Sequence, residues 1–207
     1  MKVESLSARS LTTFYEFTSL VFENDRIQDS GVTLPGYRIL GRDRLGRGGG
    51  VAVYASTALD CQVLDFDLPI IDSLEYIIFT VKIHSKLMAF GNFYVPPRTT
   101  VSDLTDSMDN ILSYLYPLVD YIMFLGNFNV DQFIPDNPLF ACFESNGFLQ
   151  VIDEPTSITA LSSTLLDPIF LSDSNILSSA GTISADLISD HRLDYCICSK
   201  KAYSKIS

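Results

Sequence analysis

The sequence predicts an α/β sandwich, with two β-sheets face to face and helices on their outer faces. Three observations carry that expectation. Short strand-like apolar runs dominate the chain. The hydrophobic period becomes helical after Ser102. Tyr121-Ile122-Met123-Phe124-Leu125 is unbroken in its apolarity, as a strand buried on both faces requires.

In chain order, residues 37–40 and 51–55 flank an Arg/Gly-rich loop and read as a strand pair. Residues 62–68 alternate only roughly. The long apolar runs 75–83 and 86–94, joined by His84-Ser85, have the pattern of a hairpin, and the turn position of His84 gives it no further role. Behind a Ser102 cap, Leu104, Met108, Ile111, Leu112 and Leu115 fall at helical spacing up to Pro117. A second helix is expected over 138–145, closed by Asn146-Gly147. Strands are expected at 149–152, 165–171, 180–183 and 194–198. No repeat or long linker divides the chain, and its length suits one sizeable core, so residues 1–207 are expected to form a single domain.

Composition narrows the function classes. A hydrophobic content of 47% argues against disorder. No apolar run approaches membrane-spanning length, which argues against a membrane partner. Lys2, Glu4 and Arg9 lead into no apolar signal region, so an intracellular protein, nuclear or cytoplasmic and not secreted, is expected. Cys61, Cys142, Cys196 and Cys198 form no CxxC and have no nearby His pair, which argues against zinc and for reduced thiols. Cys196 and Cys198, two apart, would share a strand face as small apolar residues.

The net charge of −11 is unevenly spread. Residues 1–100 hold 10 basic and 11 acidic side chains, and residues 101–207 hold 4 and 14. Arg38, Arg42, Arg44 and Arg47 make the one basic concentration. It reads equally as a local nucleic-acid-binding patch or as a solvated charged loop. The glycines at 46 and 48–50 precede a strand instead of opening a helix, so they suit a tight turn better than a phosphate cradle.

Several short strings stand in order over residues 34–191. They are Leu34-Pro35-Gly36-Tyr37, Gly46-Arg47-Gly48-Gly49-Gly50-Val51-Ala52, Phe93-Tyr94-Val95-Pro96-Pro97 and Gly126-Asn127-Phe128-Asn129. Pro155-Thr156, Leu166-Asp167-Pro168-Ile169-Phe170 and Ser189-Asp190-His191 follow. Together they resemble the endonuclease domain of non-LTR retrotransposons, within the endonuclease/exonuclease/phosphatase superfamily. The resemblance implies a four-layer α/β sandwich, best matched over residues 34–198, that cleaves phosphodiester bonds in DNA with a divalent metal, Mg²⁺ or Mn²⁺.

The same resemblance assigns roles. His191 would lie beside the scissile phosphate, Asp190 near the metal, and Asp167 against His191, fixing its tautomer. Tyr94 would contact substrate, although a half-buried strand-end tyrosine is an equal reading. Asn129 would bind the phosphate region. The family has an acid at position 127 that positions or deprotonates the attacking water. Asn127 matches that carboxylate in size, but an amide neither takes a proton nor carries charge.

Two further departures fall near the N-terminus. Ser7 stands where the family has a metal-site Asn. Glu23 is the candidate metal-ligating acid, but Val21-Phe22-Glu23 runs straight into Asn24-Asp25, so the strand bearing it is expected to be short or absent and residues 1–33 incomplete. A site with Ser7, Asn127 and only Glu23 and Asp190 as charged ligands would bind Mg²⁺ weakly. Three readings follow: a metal-dependent nicking phosphodiesterase with impaired catalysis, a non-catalytic relic binding nucleic acid weakly or serving as an interaction surface, and a fragment that does not fold stably.

Overall fold

Strands of alternating or continuous apolarity must bury one face or both, and this chain does so largely in two sheet layers. The computed structural model describes residues 7–8, 17–22, 34–43, 50–83, 85–185 and 189–198. The first strands are β1 (Ser7–Ala8), β2 (Phe17–Phe22), β3 (Tyr37–Asp43), β4 (Gly50–Ser56), β5 (Cys61–Val63), β6 (Glu75–Ile83) and β7 (Lys86–Tyr94). Helix α1 (Val101–Leu115), strand β8 (Tyr121–Asn127) and helix α2 (Pro138–Ser145) follow. The remainder comprises β9 (Leu149–Gln150), β10 (Ser157–Ile158), β11 (Ser163–Thr164), β12 (Ile169–Leu171), β13 (Leu177–Ile183) and β14 (Leu193–Cys198), with a 3₁₀ turn at Ser174–Ile176.

Six strands form one sheet in the order β5-β6-β7-β8-β12-β9. Facing it are two three-stranded sheets, β2-β4-β3 and β1-β14-β13, whose strands β1 and β2 lie side by side. Between the layers one apolar cluster joins Val51, Val53 and Ala55 of β4 to Phe79, Phe90, Met123, Leu125 and Ile169 of the larger sheet. On that sheet's other face a second cluster packs Phe93, Phe124 and Phe170 against α1 and α2. Ala52 and Tyr54, on the opposite face of β4, are also buried. This is an α/β sandwich, and among the described residues both helices belong to one outer layer.

The hairpin β6–β7, the buried strand β8 and helix α2 fall where the pattern placed them. Helix α1 begins earlier than expected. Its cap is Thr100, not Ser102: Thr100 is extended (φ −72°, ψ 141°), and its Oγ1 accepts the Asp103 N–H. Strand β12 is shorter than expected and β13 longer.

The expectation of a short or absent strand before Glu23 is overturned. Strand β2 runs six residues antiparallel to β4, from Phe17 opposite Ala55 to Phe22 opposite Gly50. Glu23 itself, His84, and Arg44 and Arg47 in the glycine loop lie outside the described residues.

Candidate active site

Strands β7 and β8 run parallel and end together, with Tyr94 opposite Asn127. Such carboxyl ends are where a sheet presents functional groups. Gly126 permits the ending: its φ is +126°, and a Cβ there would stand 2.0 Å from the Phe93 carbonyl oxygen. The Phe128 N–H then bonds to Leu166 O at 2.9 Å, continuing the antiparallel register by which Ile169 faces Leu125. That register sets Asp167 opposite Asn127. Glu75, opposite Tyr94 on β6, completes a polar row of Glu75, Tyr94, Asn127 and Asp167 across four segments.

Asp167 Oδ2 lies 2.7 Å from His191 Nδ1, and both residues are buried. An Nδ1–H donated to this carboxylate fixes the ring's tautomer and orientation. The other carboxylate oxygen, Oδ1, is also buried and has no hydrogen-bond partner among the described residues.

Thr156 builds the pair. It is fully buried, and its Oγ1 accepts both the Leu166 and the Asp167 N–H, at 3.0 and 2.9 Å. Its carbonyl accepts the Arg192 N–H at 2.7 Å. One threonine therefore ties the segment bearing Asp167 to the segment bearing His191. The antiparallel hairpin β10–β11 holds the same loop, through a Ser157–His191 bridge and an Ile158 N–H to Asp190 O bond. Nothing in the local pattern revealed this, apart from the Pro155-Thr156 string.

At the end of β8, Asn127 is buried and its Oδ1 accepts the Asn129 N–H at 2.9 Å. Asn129 takes a left-handed backbone (φ 50°), tolerable for asparagine, and its Nδ2 donates to Val95 O at 2.7 Å. Asn127 thus closes a turn through its side-chain oxygen. Asp190 is exposed beside the buried His191.

No protein-family model matches the sequence, and no curated protein matches it in sequence. Solved structures do match. The endonuclease domain of TRAS1, a telomere-specific non-LTR retrotransposon, superposes with a TM-score of 0.60 at 14% identity, covering 77% of this chain and 76% of that one. An endonuclease/exonuclease/phosphatase family protein from Leptotrichia buccalis gives 0.60 at 14% identity, over 87% and 85%. D. rerio TDP2, complexed with a single-strand DNA product, gives 0.54 at 14% identity, over 78% and 76%. The chain has the endonuclease/exonuclease/phosphatase fold.

Within this endonuclease/exonuclease/phosphatase frame, Arg38 and Arg42, the two described members of the basic concentration, have partners in the chain. Arg38 Nη2 donates to Leu59 O at 2.6 Å, pinning the turn after β4. The Arg42 guanidinium lies 5.0 Å from the Tyr76 ring centroid, a cation–π contact. Neither residue belongs to the polar row.

The described donors do not by themselves fit a divalent cation. Among the described residues no three His, Cys, Asp or Glu side chains gather closely enough to hold one. Hard cations need several oxygens at 2–2.6 Å or so. Here Asp167 Oδ2 is committed to His191, leaving only Oδ1, and Asn127 Oδ1 already accepts one hydrogen bond.

Proposed function

We propose that this chain is a phosphodiesterase of the DNA-nicking type in descent, with its substrate frame retained and its catalysis largely lost. The observation that carries this reading is the buried Asp167–His191 pair, set at the same sheet edge as an amide at position 127. Phosphodiester hydrolysis needs an activated water, stabilisation of the phosphoryl oxygens and help for the leaving oxygen. His191, oriented by Asp167, suits the phosphate; Asn129 and Tyr94 suit substrate positioning. Mg²⁺ or Mn²⁺ would supply charge stabilisation when bound; Asp190 and Glu23 are the acids that the resemblance assigns to it, and a weak affinity is expected. Asn127 cannot take a proton from water, and loss of a general base costs ~10²–10⁴-fold in rate.

DNA is the proposed partner. The single-strand product in the TDP2 complex supports a nucleic-acid role for the fold. The four cysteines are all free thiols, which suits an intracellular setting. The second reading, a relic that binds without cleaving, is favoured by Asn127 and by the thin donor set.

A plasmid-nicking assay with Mg²⁺ or Mn²⁺ separates the two. The unmodified chain is expected to nick barely above background, and Asn127→Asp to recover little, because the metal donors are also depleted. Clear nicking by the unmodified chain, abolished by His191→Ala, would overturn the relic reading. Strong nicking by Asn127→Asp alone would show that position 127 is the sole defect.

A further inference from the structure

We propose that Phe133 and Ile134 form an apolar ledge that stacks against an unpaired nucleobase of a DNA strand lying across the Asp167–His191 pair; this rests on the DNA reading above. The two side chains are 46% and 57% exposed, in the loop that leaves β8 directly after Asn129. Two adjacent large apolar groups held in water cost free energy unless something covers them.

The loop that displays them is pinned. Asp131 Oδ1 accepts the Phe133 N–H at 3.1 Å and the Leu165 N–H at 3.0 Å. The Gln132 N–H bonds to Leu165 O at 3.0 Å, and Asn137 Nδ2 donates to Asp131 O at 2.8 Å. Leu165 is two residues before Asp167, so these bonds hold the ledge at the edge that carries the pair.

Charge limits the kind of contact. Exposed ionic groups described near this edge include Arg98, in the loop after Tyr94, and the acids Asp136, Glu154 and Asp190, with Glu154 3.5 Å from Arg192. With a chain charge of −11, phosphates are attracted at Arg98 and repelled over most of the surface. A base face is the uncharged part of a nucleic acid, so stacking is the contact that this field does not oppose. A duplex hides its base faces; a single strand exposes them.

The test is fluorescence anisotropy at low salt, with a labelled oligothymidylate of about 12 nucleotides and the same strand made abasic throughout. Phe133→Ala with Ile134→Ala should weaken binding of the intact strand about tenfold and leave the abasic strand unaffected. Phe133→Tyr with Ile134 retained should restore it, since tyrosine stacks equally well. Equal weakening on both strands, or no weakening on either, would overturn the ledge while leaving DNA binding intact. Failure of the unmodified chain to bind the intact strand would overturn the DNA reading, and the ledge with it.

Discussion

Asp167 Oδ2 stands 2.7 Å from His191 Nδ1, and each side chain is only 6% exposed. Truncating one member leaves the other buried without its partner. His191→Ala is therefore expected to lower unfolding free energy by about 3–5 kcal/mol. Replacing Asp167 by Ala in the same chain should return part of that loss, because the stranded carboxylate is removed. Urea denaturation of the two single variants and the double variant measures the coupling. Simple additivity would mean that the pair is held by its surroundings and contributes no mutual stabilisation.

Thr156 offers a test of how the pair is held in place. Its hydroxyl oxygen accepts two backbone N–H groups, from Leu166 and Asp167. Thr156→Val keeps the shape and strands both donors, at an expected cost of about 1–3 kcal/mol for each buried group left unsatisfied. Thr156→Ser retains the oxygen and should lose much less. Equal midpoints for the Val and Ser variants in chemical denaturation would mean that the hydroxyl is dispensable.

Those two residues also mark the limit of what was legible in the sequence. Helix α2 was readable because its signals are local: Pro138 at its first turn and Gly147 just past its end. The hairpin β6–β7 was readable from two long apolar runs. Strand β2 was missed because Phe17–Phe22 has no clean alternation, and its pairing with β4 joins residues some thirty positions apart. Strand β12 is short because the upstream backbone is taken by side chains instead of a strand: Leu165 N–H goes to Asp131, and Leu166 and Asp167 N–H go to Thr156. Asp167 and His191 were recognisable only through the motifs around them. The connecting role of Thr156 depends on two distant segments meeting, as does the anchorage of Arg38 on Leu59, and no local pattern encodes either.

Gly126 and Gly147 both have positive φ, yet their substitution should differ sharply. At Gly126 an added Cβ would meet the Phe93 carbonyl oxygen at 2.0 Å, a main-chain atom of the adjacent strand that has little room to retreat. At Gly147 a Cβ would meet nothing within 4 Å. Gly147→Ala should cost about 1 kcal/mol, the price of a left-handed alanine. Gly126→Ala should prevent β7 and β8 from ending side by side and yield little soluble protein. Comparable thermal transitions for the two would show that the Gly126 backbone can rearrange.

Cys142 predicts a pH response away from the site. Burial, and then a bond from its Sγ to Asp109 Oδ1 at 3.3 Å, push its thiol up from about 9 to about 12. At pH 8 the folded chain should therefore hold roughly a thousandfold less Cys142 thiolate than an ordinary thiol, and alkylation by iodoacetamide should be correspondingly slow. Asp109→Asn removes the charge but leaves the burial, which is the larger cause, so it should speed alkylation only part of the way. The sign for stability follows from the raised value. The folded state's hold on the proton contributes fully below about pH 9 and is lost as pH rises through about 12, so Cys142→Ala should lessen alkaline unfolding in that window. Rapid labelling of Cys142 at pH 8 under native conditions, confirmed by peptide mass, would show that the thiol is neither desolvated nor held by Asp109.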